Sequence, residues 1–240
     1  MLEFRNGALH LFKAFDINVF VHWTWFVIAY FFLTKGVYGM SPTWGMATYI
    51  GLFVIVLLHE FGHALACRSV GGQARMIMLW PLGGVAFVSP PPRPGAVLWS
   101  IAAGPLVNVV LVPVSFVAVL VLVGTTEQDQ MSGFQEMIFM LSMINLGLLI
   151  FNMLPIYPLD GGQILQAILW FFIGRARSLR VAAIIGLICT VPLGILCLVN
   201  GNLFGIVIAV FIGWQAWKGY RAANYLARHE VVTNPWERGG

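Results

Sequence analysis

Long apolar segments constrain the fold of this chain more than any other feature of its sequence. Hydrophobic residues occupy 60% of the 240 positions and charged residues only 9%, whereas about a quarter of the residues in a soluble domain are charged. A membrane-spanning helix needs about 20 apolar residues. The segments that approach this length are about 21–37, 44–65, 97–123, 137–154, 181–199 and 203–217. The sequence therefore predicts an all-α polytopic membrane protein with about six transmembrane helices.

The segment between the second and third spans is too short and too broken to cross the membrane. Residues 71–88 contain two short extended pieces around Pro81-Leu82-Gly83-Gly84, which predicts a small membrane-associated β-hairpin or re-entrant element. A further strand-like alternation covers residues 15–22. An exposed strand edge could pair with an extended peptide, although an ordinary interfacial loop remains the alternative. The candidate positions for this substrate-strand edge are Met76, Ile77, Val85 and Phe87.

Basic residues are unevenly distributed between the predicted loops. With six spans, the N-terminus, the loops 68–96 and 156–180 and the C-terminal tail lie on one side, and they contain every Lys and Arg except Lys35. The positive-inside rule makes this side cytoplasmic and places both termini there. The formal charge of +4 is thus explained by topology, and no nucleic-acid partner is expected. The first fifteen residues lack the pattern of a removable signal peptide, and we expect a multi-pass protein of the cell membrane.

Two histidines and a glutamate interrupt the second apolar span, in the order His59-Glu60-Phe61-Gly62-His63. On an α-helix His59 and His63 lie one turn apart on one face and can bind the same metal ion, while Glu60, rotated by about 100°, can reach a metal-bound water. Ionisable side chains at membrane depth are costly and usually face a cavity or a partner. The pattern favours a zinc site, with polar groups that merely bridge helices as the alternative.

A catalytic zinc ion takes three protein ligands and leaves the fourth position to water. Asp160 follows the helix-breaking segment 155–158, and broken backbone at membrane depth is tolerated only beside protein or a water-filled cavity. Cys67 lies eight residues from His59, about 12 Å along the helix, which is too far to share one ion. Asp16 lacks the context of a broken helix end. The sequence therefore favours Asp160 as the third ligand.

Two asparagines and one further histidine are polar groups within or beside the spans. Asn108 in the third span and Asn152 at the end of the fourth could donate hydrogen bonds to an oxyanion or hold a substrate backbone. A structural bond between helices is an equal alternative for each asparagine. His22 stands beside Trp23, and packing at the membrane interface is the favoured interpretation for it.

Four motifs, taken in order, resemble those of the site-2 protease family of intramembrane zinc metalloproteases, which is peptidase M50-like. They are His59-Glu60-Phe61-Gly62-His63, Pro81-Leu82-Gly83-Gly84, Gly104-Pro105-Leu106-Val107-Asn108 and the segment 152–162 with its Leu159-Asp160-Gly161. The resemblance covers about residues 5–217. It implies one zinc ion per chain held by His59, His63 and Asp160, with Glu60 as the catalytic base and the three middle spans as the catalytic core.

The resemblance also implies a function and a domain plan. A zinc metalloendopeptidase of this kind cleaves a membrane-anchored protein, such as a signalling or transcription regulator, within or near a transmembrane segment, as in regulated intramembrane proteolysis. We expect one protease domain at 1–217 with its core at about 44–165, a short cytoplasmic tail at 218–240, and neither a PDZ nor a CBS domain. An oligomer stays open. The alternative is a metal-binding transporter or a catalytically silent scaffold, which would not need Glu60 beside the metal.

Overall fold

The structure is a computed structural model that describes residues 4–5, 7–34, 41–80, 83–124, 126 and 131–233. The strands are β1 (Phe4–Arg5), β2 (Ala8–Ala14), β3 (Ile17–His22), β4 (Gln73–Trp80) and β5 (Gly83–Ser89). The helices are α1 (Thr24–Thr34), α2 (Pro42–Ser69), α3 (Pro94–Leu122), α4 (Gly133–Asn152), α5 (Asp160–Ile173), α6 (Arg175–Val199) and α7 (Leu203–Thr233). One compact unit comprises Met1–Pro91 and Ala103–Phe151, and the other comprises Pro92–Ala102 and Asn152–Gly240.

Five of the described helices are long and apolar enough to cross a membrane, namely α2, α3, α4, α6 and α7. They correspond to the second to sixth predicted spans and confirm a multi-pass membrane protein. The first predicted span is described only as the 11 residues of α1, fewer than the about 20 that crossing requires; its remaining positions from 35 onward lie outside the described residues. Helix α7 continues to Thr233, well beyond the end predicted near Trp217.

The strands form one five-stranded sheet in the order β1-β2-β3-β4-β5. Strands β3 and β4 are parallel, with Val19 opposite Ile77, and the remaining neighbours are antiparallel. The β4–β5 pair confirms the predicted hairpin, although Pro81 and Leu82 lie outside the described residues. The strand-like alternation at 15–22 corresponds to β3. The sheet extends further than the sequence indicated, because β2 adds seven N-terminal residues to it.

The hydrophobic core of the first unit lies between this sheet and α2. Every second residue of β3 is buried, as expected for a strand with one face on a core, and the side chains of Ile17, Val19 and Ile77 are fully buried. Val56 and Ala64 of α2 belong to the same cluster. Burial of these aliphatic groups holds the sheet on the last turns of α2, where the polar side chains lie.

The connection from α2 to β4 fixes the register between helix and sheet. Gly71 has φ +85°, a left-handed conformation that glycine adopts readily at a helix end. The Gly71 amide donates to the Arg68 carbonyl at 3.0 Å, and the Gly72 amide donates to the Cys67 carbonyl at 2.9 Å. This pair of bonds is a Schellman motif, which satisfies the last carbonyls of α2 and turns the chain directly into β4.

Candidate metal centre

Helix α2 presents His59, Glu60 and His63 inside the protein, with side chains only 6%, 4% and 6% exposed. The Nε2 atoms of His59 and His63 face each other at 3.0 Å. Two imidazole nitrogens bound to one tetrahedral zinc at about 2.0–2.1 Å lie roughly 3.3 Å apart. The two histidines are therefore already arranged as a pair of ligands for one zinc ion.

Asn108 of α3 determines which nitrogen of His59 is available to a metal. Its Oδ1 lies 2.5 Å from His59 Nδ1, and an amide oxygen can only accept a hydrogen bond. The Asn108 amide Nδ2 in turn donates to Asn145 Oδ1 at 2.7 Å, which supports the assigned amide orientation. His59 therefore carries its proton on Nδ1 and keeps the Nε2 lone pair for a metal, as in metal sites whose histidines are oriented by a second hydrogen bond.

Asn145 is a site residue that the sequence analysis did not identify. It is 1% exposed on α4 and also donates from Nδ2 to the Asn108 carbonyl at 3.4 Å. The sequence carried a signal for it, because an asparagine within an apolar span needs a partner at membrane depth. Both ends of the Asn108 amide are occupied by His59 and Asn145, so the bonds observed for Asn108 are structural, and its role toward substrate stays a prediction.

Glycines on α2 and α3 allow the two helices to approach closely beside the histidines. A Cβ atom at Gly104 would lie 2.2 Å from His63 Nε2, and one at Gly62 would lie 2.6 Å from the Ala103 carbonyl oxygen. Both separations are shorter than any real contact of a methyl group. Small residues are the usual means by which membrane helices pack backbone to backbone. Gly104 thus leaves the space that the His63 imidazole occupies.

Glu60 contacts the sheet through its carboxylate. Its Oε2 accepts a hydrogen bond from the Ala86 backbone amide of β5 at 2.8 Å. A hydrogen bond from a backbone donor fixes the direction of the carboxylate. The bond therefore ties Glu60 to the edge of the sheet.

Asp160 is the first residue of α5, where a carboxylate is favoured by the positive end of the helix dipole. The loop before it packs tightly against its own unit. A Cβ at Gly186 would lie 2.5 Å from the Tyr157 carbonyl oxygen, and one at Gly219 would lie 2.6 Å from the Tyr157 ring. The loop that carries Asp160 is thus held against α6 and α7.

His59 and His63 belong to the first compact unit and Asp160 to the other, and Asp160 stays the predicted third ligand of the metal. The rejected alternatives have other contacts. Asp16 forms an ion pair with Lys13 at 2.7 Å, and the buried Cys67 thiol donates to the Gln73 carbonyl at 3.6 Å. Two imidazoles and a carboxylate are a common ligand set for catalytic zinc.

The structure corrects two of the predicted edge positions. Met76 and Ile77 belong to β4, which is paired with β3 on one side and with β5 on the other, so neither is at an edge. They were misassigned because the sequence indicated the strand-like segment at 15–22 but not its pairing with β4 as β3. Val85 and Phe87 belong to β5, which pairs only with β4 among the described strands.

Asn152 and His22 are the two remaining polar residues that the sequence singled out. Asn152 is the last residue of α4, and its role toward substrate stays a prediction. His22 is buried, bonds Thr24 Oγ1 through Nδ1 at 2.7 Å and stacks on Trp80 with ring centroids 4.1 Å apart. These contacts agree with the packing interpretation of His22.

Replacing Gly104 by alanine should weaken zinc binding about 10- to 100-fold or more, because the new methyl group displaces the His63 imidazole. Alanine favours a helix over glycine by about 1 kcal/mol, so destabilisation of α3 is not the expected cause. Gly147→Ala on α4 is the matched control, since a Cβ there meets no described atom within 4 Å. Zinc per chain after dialysis against a graded chelator measures both variants. Equal zinc in the two variants would show that Gly104 does not protect His63.

Comparison with known proteins identifies the family of the chain. Residues 47–198 match the model of Peptidase family M50. The chain is 32% identical to a zinc metalloprotease of Methanocaldococcus jannaschii over 88% of this chain and 60% of that protein. It is 31% identical to a putative zinc metalloprotease of Synechocystis sp. over 88% of this chain and 58% of that protein.

A solved structure shares the fold. The site-2 protease from Methanocaldococcus jannaschii matches with a TM-score of 0.63 and 26% sequence identity, over 89% of this chain and 95% of that chain. The chain spans about 60% of the length of the curated relatives named above. It carries His59, Glu60 and His63 within the matched region. The chain therefore belongs to peptidase family M50, with the fold of a site-2 protease.

Proposed function

We propose that this chain is an intramembrane zinc endopeptidase that cleaves a membrane-anchored protein within or near a transmembrane segment. The observation that carries the proposal is the buried Glu60 carboxylate beside the facing Nε2 atoms of His59 and His63, inside a membrane-spanning helix. A buried carboxylate next to a pair of metal ligands has a clear use in hydrolysis, where a general base must lie within reach of the attacking water.

The proposed zinc ligands are His59, His63 and Asp160. The facing imidazoles, the Nδ1 bond from His59 to Asn108 and the position of Asp160 at the start of α5 support this set. When bound, zinc polarises a carbonyl oxygen and lowers the pKa of a water molecule toward about 7. Glu60 accepts the proton from the attacking water and returns it to the leaving amine. Asn108 keeps the His59 imidazole in the ligating tautomer.

The open edge of β5 is the proposed binding place for the substrate backbone. The Ala86 amide donates to a side chain of α2 and so points away from β4. In an antiparallel pair alternate residues face the same way, which directs the backbone groups of Gly84 and Val88 outward as well. A helical amide is shielded by its own hydrogen bonds, so the substrate must unwind before cleavage. An unwound segment can then add to β5 as a further strand.

Strand addition would bring the substrate directly to the catalytic base. Because Glu60 occupies the Ala86 amide, a strand that pairs along β5 would lie beside the Glu60 carboxylate and compete for the same donor. Val85 and Phe87 alternate with these outward backbone groups, and the Phe87 side chain is exposed. We infer that Phe87 contacts the side chains of the bound strand.

The cut is proposed to occur near the cytoplasmic face. His63 lies five residues before Arg68 on α2, about 7.5 Å along the helix axis. The predicted loops 68–96 and 156–180 contain six of the 13 basic residues, and the positive-inside rule assigns these loops to the cytoplasm. A substrate regulator cut there would be released on the cytoplasmic side, as in regulated intramembrane proteolysis.

Glu60→Gln should lower peptide cleavage at least 100-fold, because glutamine cannot accept the proton. Zinc per chain should stay unchanged, since Glu60 is not a ligand. The measurement compares membranes that contain the full chain as wild type or variant, and mass spectrometry identifies new protein termini within or beside transmembrane segments. Glu136→Gln in the first turn of α4 removes the same charge away from the site and should retain cleavage.

One result would contradict the role of Glu60, and a different result would contradict the protease function. Cleavage products that persist at wild-type level in Glu60→Gln would remove Glu60 from the mechanism. Membranes with zinc-loaded wild type that show no products beyond those of the variant would favour the metal transporter or silent scaffold.

Ala86→Pro should lower cleavage about tenfold or more with zinc retained, because it removes the amide that orients Glu60 and receives the substrate strand. Proline is tolerated on an edge strand where its nitrogen faces away from the ladder. Ala86→Gly keeps the amide and is the matched control. The assay measures initial rates on a substrate identified through the Glu60→Gln comparison. If Ala86→Pro cleaved at the rate of Ala86→Gly, the proposed role of the β5 edge would be wrong.

A further inference from the structure

A cavity of about 370 Å³ lies where the β2–β3 turn, the end of α2 and the start of β4 meet. All of its lining belongs to the first compact unit. It is separate from the proposed metal ligands, none of which lines it. The polar side chains that line it are Lys13, Asp16, Asn18, Arg68, Gln73 and Arg75.

Positive charge dominates this cavity. Three cationic side chains and one carboxylate line it, which leaves a net charge of +2. The carboxylate is already paired, because Lys13 Nζ lies 2.7 Å from Asp16 Oδ1. The hydrogen bond from Lys13 and then its charge hold the pKa of Asp16 below its usual value, with a smaller effect from Arg68. Asp16 is therefore ionised at neutral pH, and the guanidinium groups of Arg68 and Arg75 carry the excess charge.

The frame of the cavity is held by specific contacts. The Arg68 guanidinium donates to the Phe15 carbonyl, and the Phe15 ring meets the Phe61 ring of α2 edge to face at 6.1 Å. The Schellman bonds of Gly71 and Gly72 engage the last α2 carbonyls, which weakens the negative end of the helix dipole there.

Arg75 is the cavity side chain whose charged group is most available to bind an anion. It is exposed on β4 and, among the described residues, its guanidinium has no ion-pair partner. A guanidinium presents a planar fork of donors that matches two phosphate oxygens. The Asn18 and Gln73 amides offer additional donors from the neighbouring strands.

We propose that this cavity binds a phosphate group between Arg68 and Arg75. Its position at the end of α2 places it where a membrane-spanning helix meets water, so the headgroup of an anionic phospholipid can supply the phosphate. A soluble phosphate can supply the same chemistry. Basic residues near the membrane surface attract anionic lipids, and here they surround a formed cavity. The site would fix the sheet, and with it β5, at a set depth relative to the bilayer.

The test uses the full chain purified in an uncharged detergent at constant ionic strength. Thermal unfolding is followed by tryptophan fluorescence after addition of phosphatidylglycerol, phosphatidylcholine or inorganic phosphate. A ligand that binds only the folded state raises the unfolding midpoint. For wild type we expect phosphatidylglycerol to raise it by about 3–5 °C and phosphatidylcholine to leave it unchanged.

Arg75→Gln is the decisive variant, because it removes the guanidinium without removing a described ion pair. Its apparent affinity for phosphatidylglycerol should fall about tenfold, as expected for the loss of one charge-assisted bidentate contact. Arg75→Lys keeps the charge but not the planar fork of donors. Its apparent affinity for phosphatidylglycerol should lie between those of wild type and Arg75→Gln. Arg177→Gln on α6 is the matched control, since it removes one exposed arginine outside the cavity, and it should respond as wild type does.

The shifts of the unfolding midpoint distinguish a soluble phosphate from a lipid headgroup as the ligand. A midpoint shift with inorganic phosphate alone that is lost in Arg75→Gln supports the phosphate site with a soluble source. A shift with phosphatidylglycerol alone that is lost in the same variant supports the lipid source. Equal shifts in Arg75→Gln and Arg177→Gln, or no shift with either ligand in wild type, would overturn the proposal. None of these readouts depends on proteolysis or on zinc.

Discussion

Three polar side chains are buried within one apolar helix, and their need for partners determines which elements pack against that helix. His59, Glu60 and His63 lie inside a membrane-spanning helix and are almost inaccessible to solvent. Unpaired polar groups at such depth are expensive, so each needs a partner. Partners for His59 and Glu60 come from Asn108 and the Ala86 amide, and the two histidines also face each other. The approach of α3 and the sheet to α2 thus follows from the same chemistry that builds the candidate metal centre.

The sheet contacts α2 both beside the candidate metal centre and at the end of the helix near Arg68. Its core face packs on α2, and its last strand contacts Glu60 through Ala86. At the end of α2, five residues beyond His63, Arg68 bonds the β2–β3 turn. The sheet therefore contacts both the end of α2 at Arg68 and the proposed catalytic base Glu60.

The sequence predicted those parts of the fold that depend on local pattern. Apolar length identified α2, α3, α4, α6 and α7 as spans, and helical spacing identified His59, Glu60 and His63 as one group. The parts that depend on distant pairing were missed or misassigned. Asn145 bonds a residue 37 positions away, and β4 is interior because Val19 of β3 pairs with its Ile77. No local pattern contains such information, which also explains why Ile77 was expected at an edge.

Zinc per chain in folded, detergent-purified protein, compared between wild type and Asp160→Ala, is the sharpest test of the proposed metal centre. Asp16→Ala is the matched control, since Asp16 is paired with Lys13 on the β2–β3 turn. We expect about one zinc per chain in wild type and in Asp16→Ala, with a clear loss in Asp160→Ala. Folded wild type without zinc would contradict the metal centre, and zinc retained in Asp160→Ala would contradict Asp160 as the third ligand.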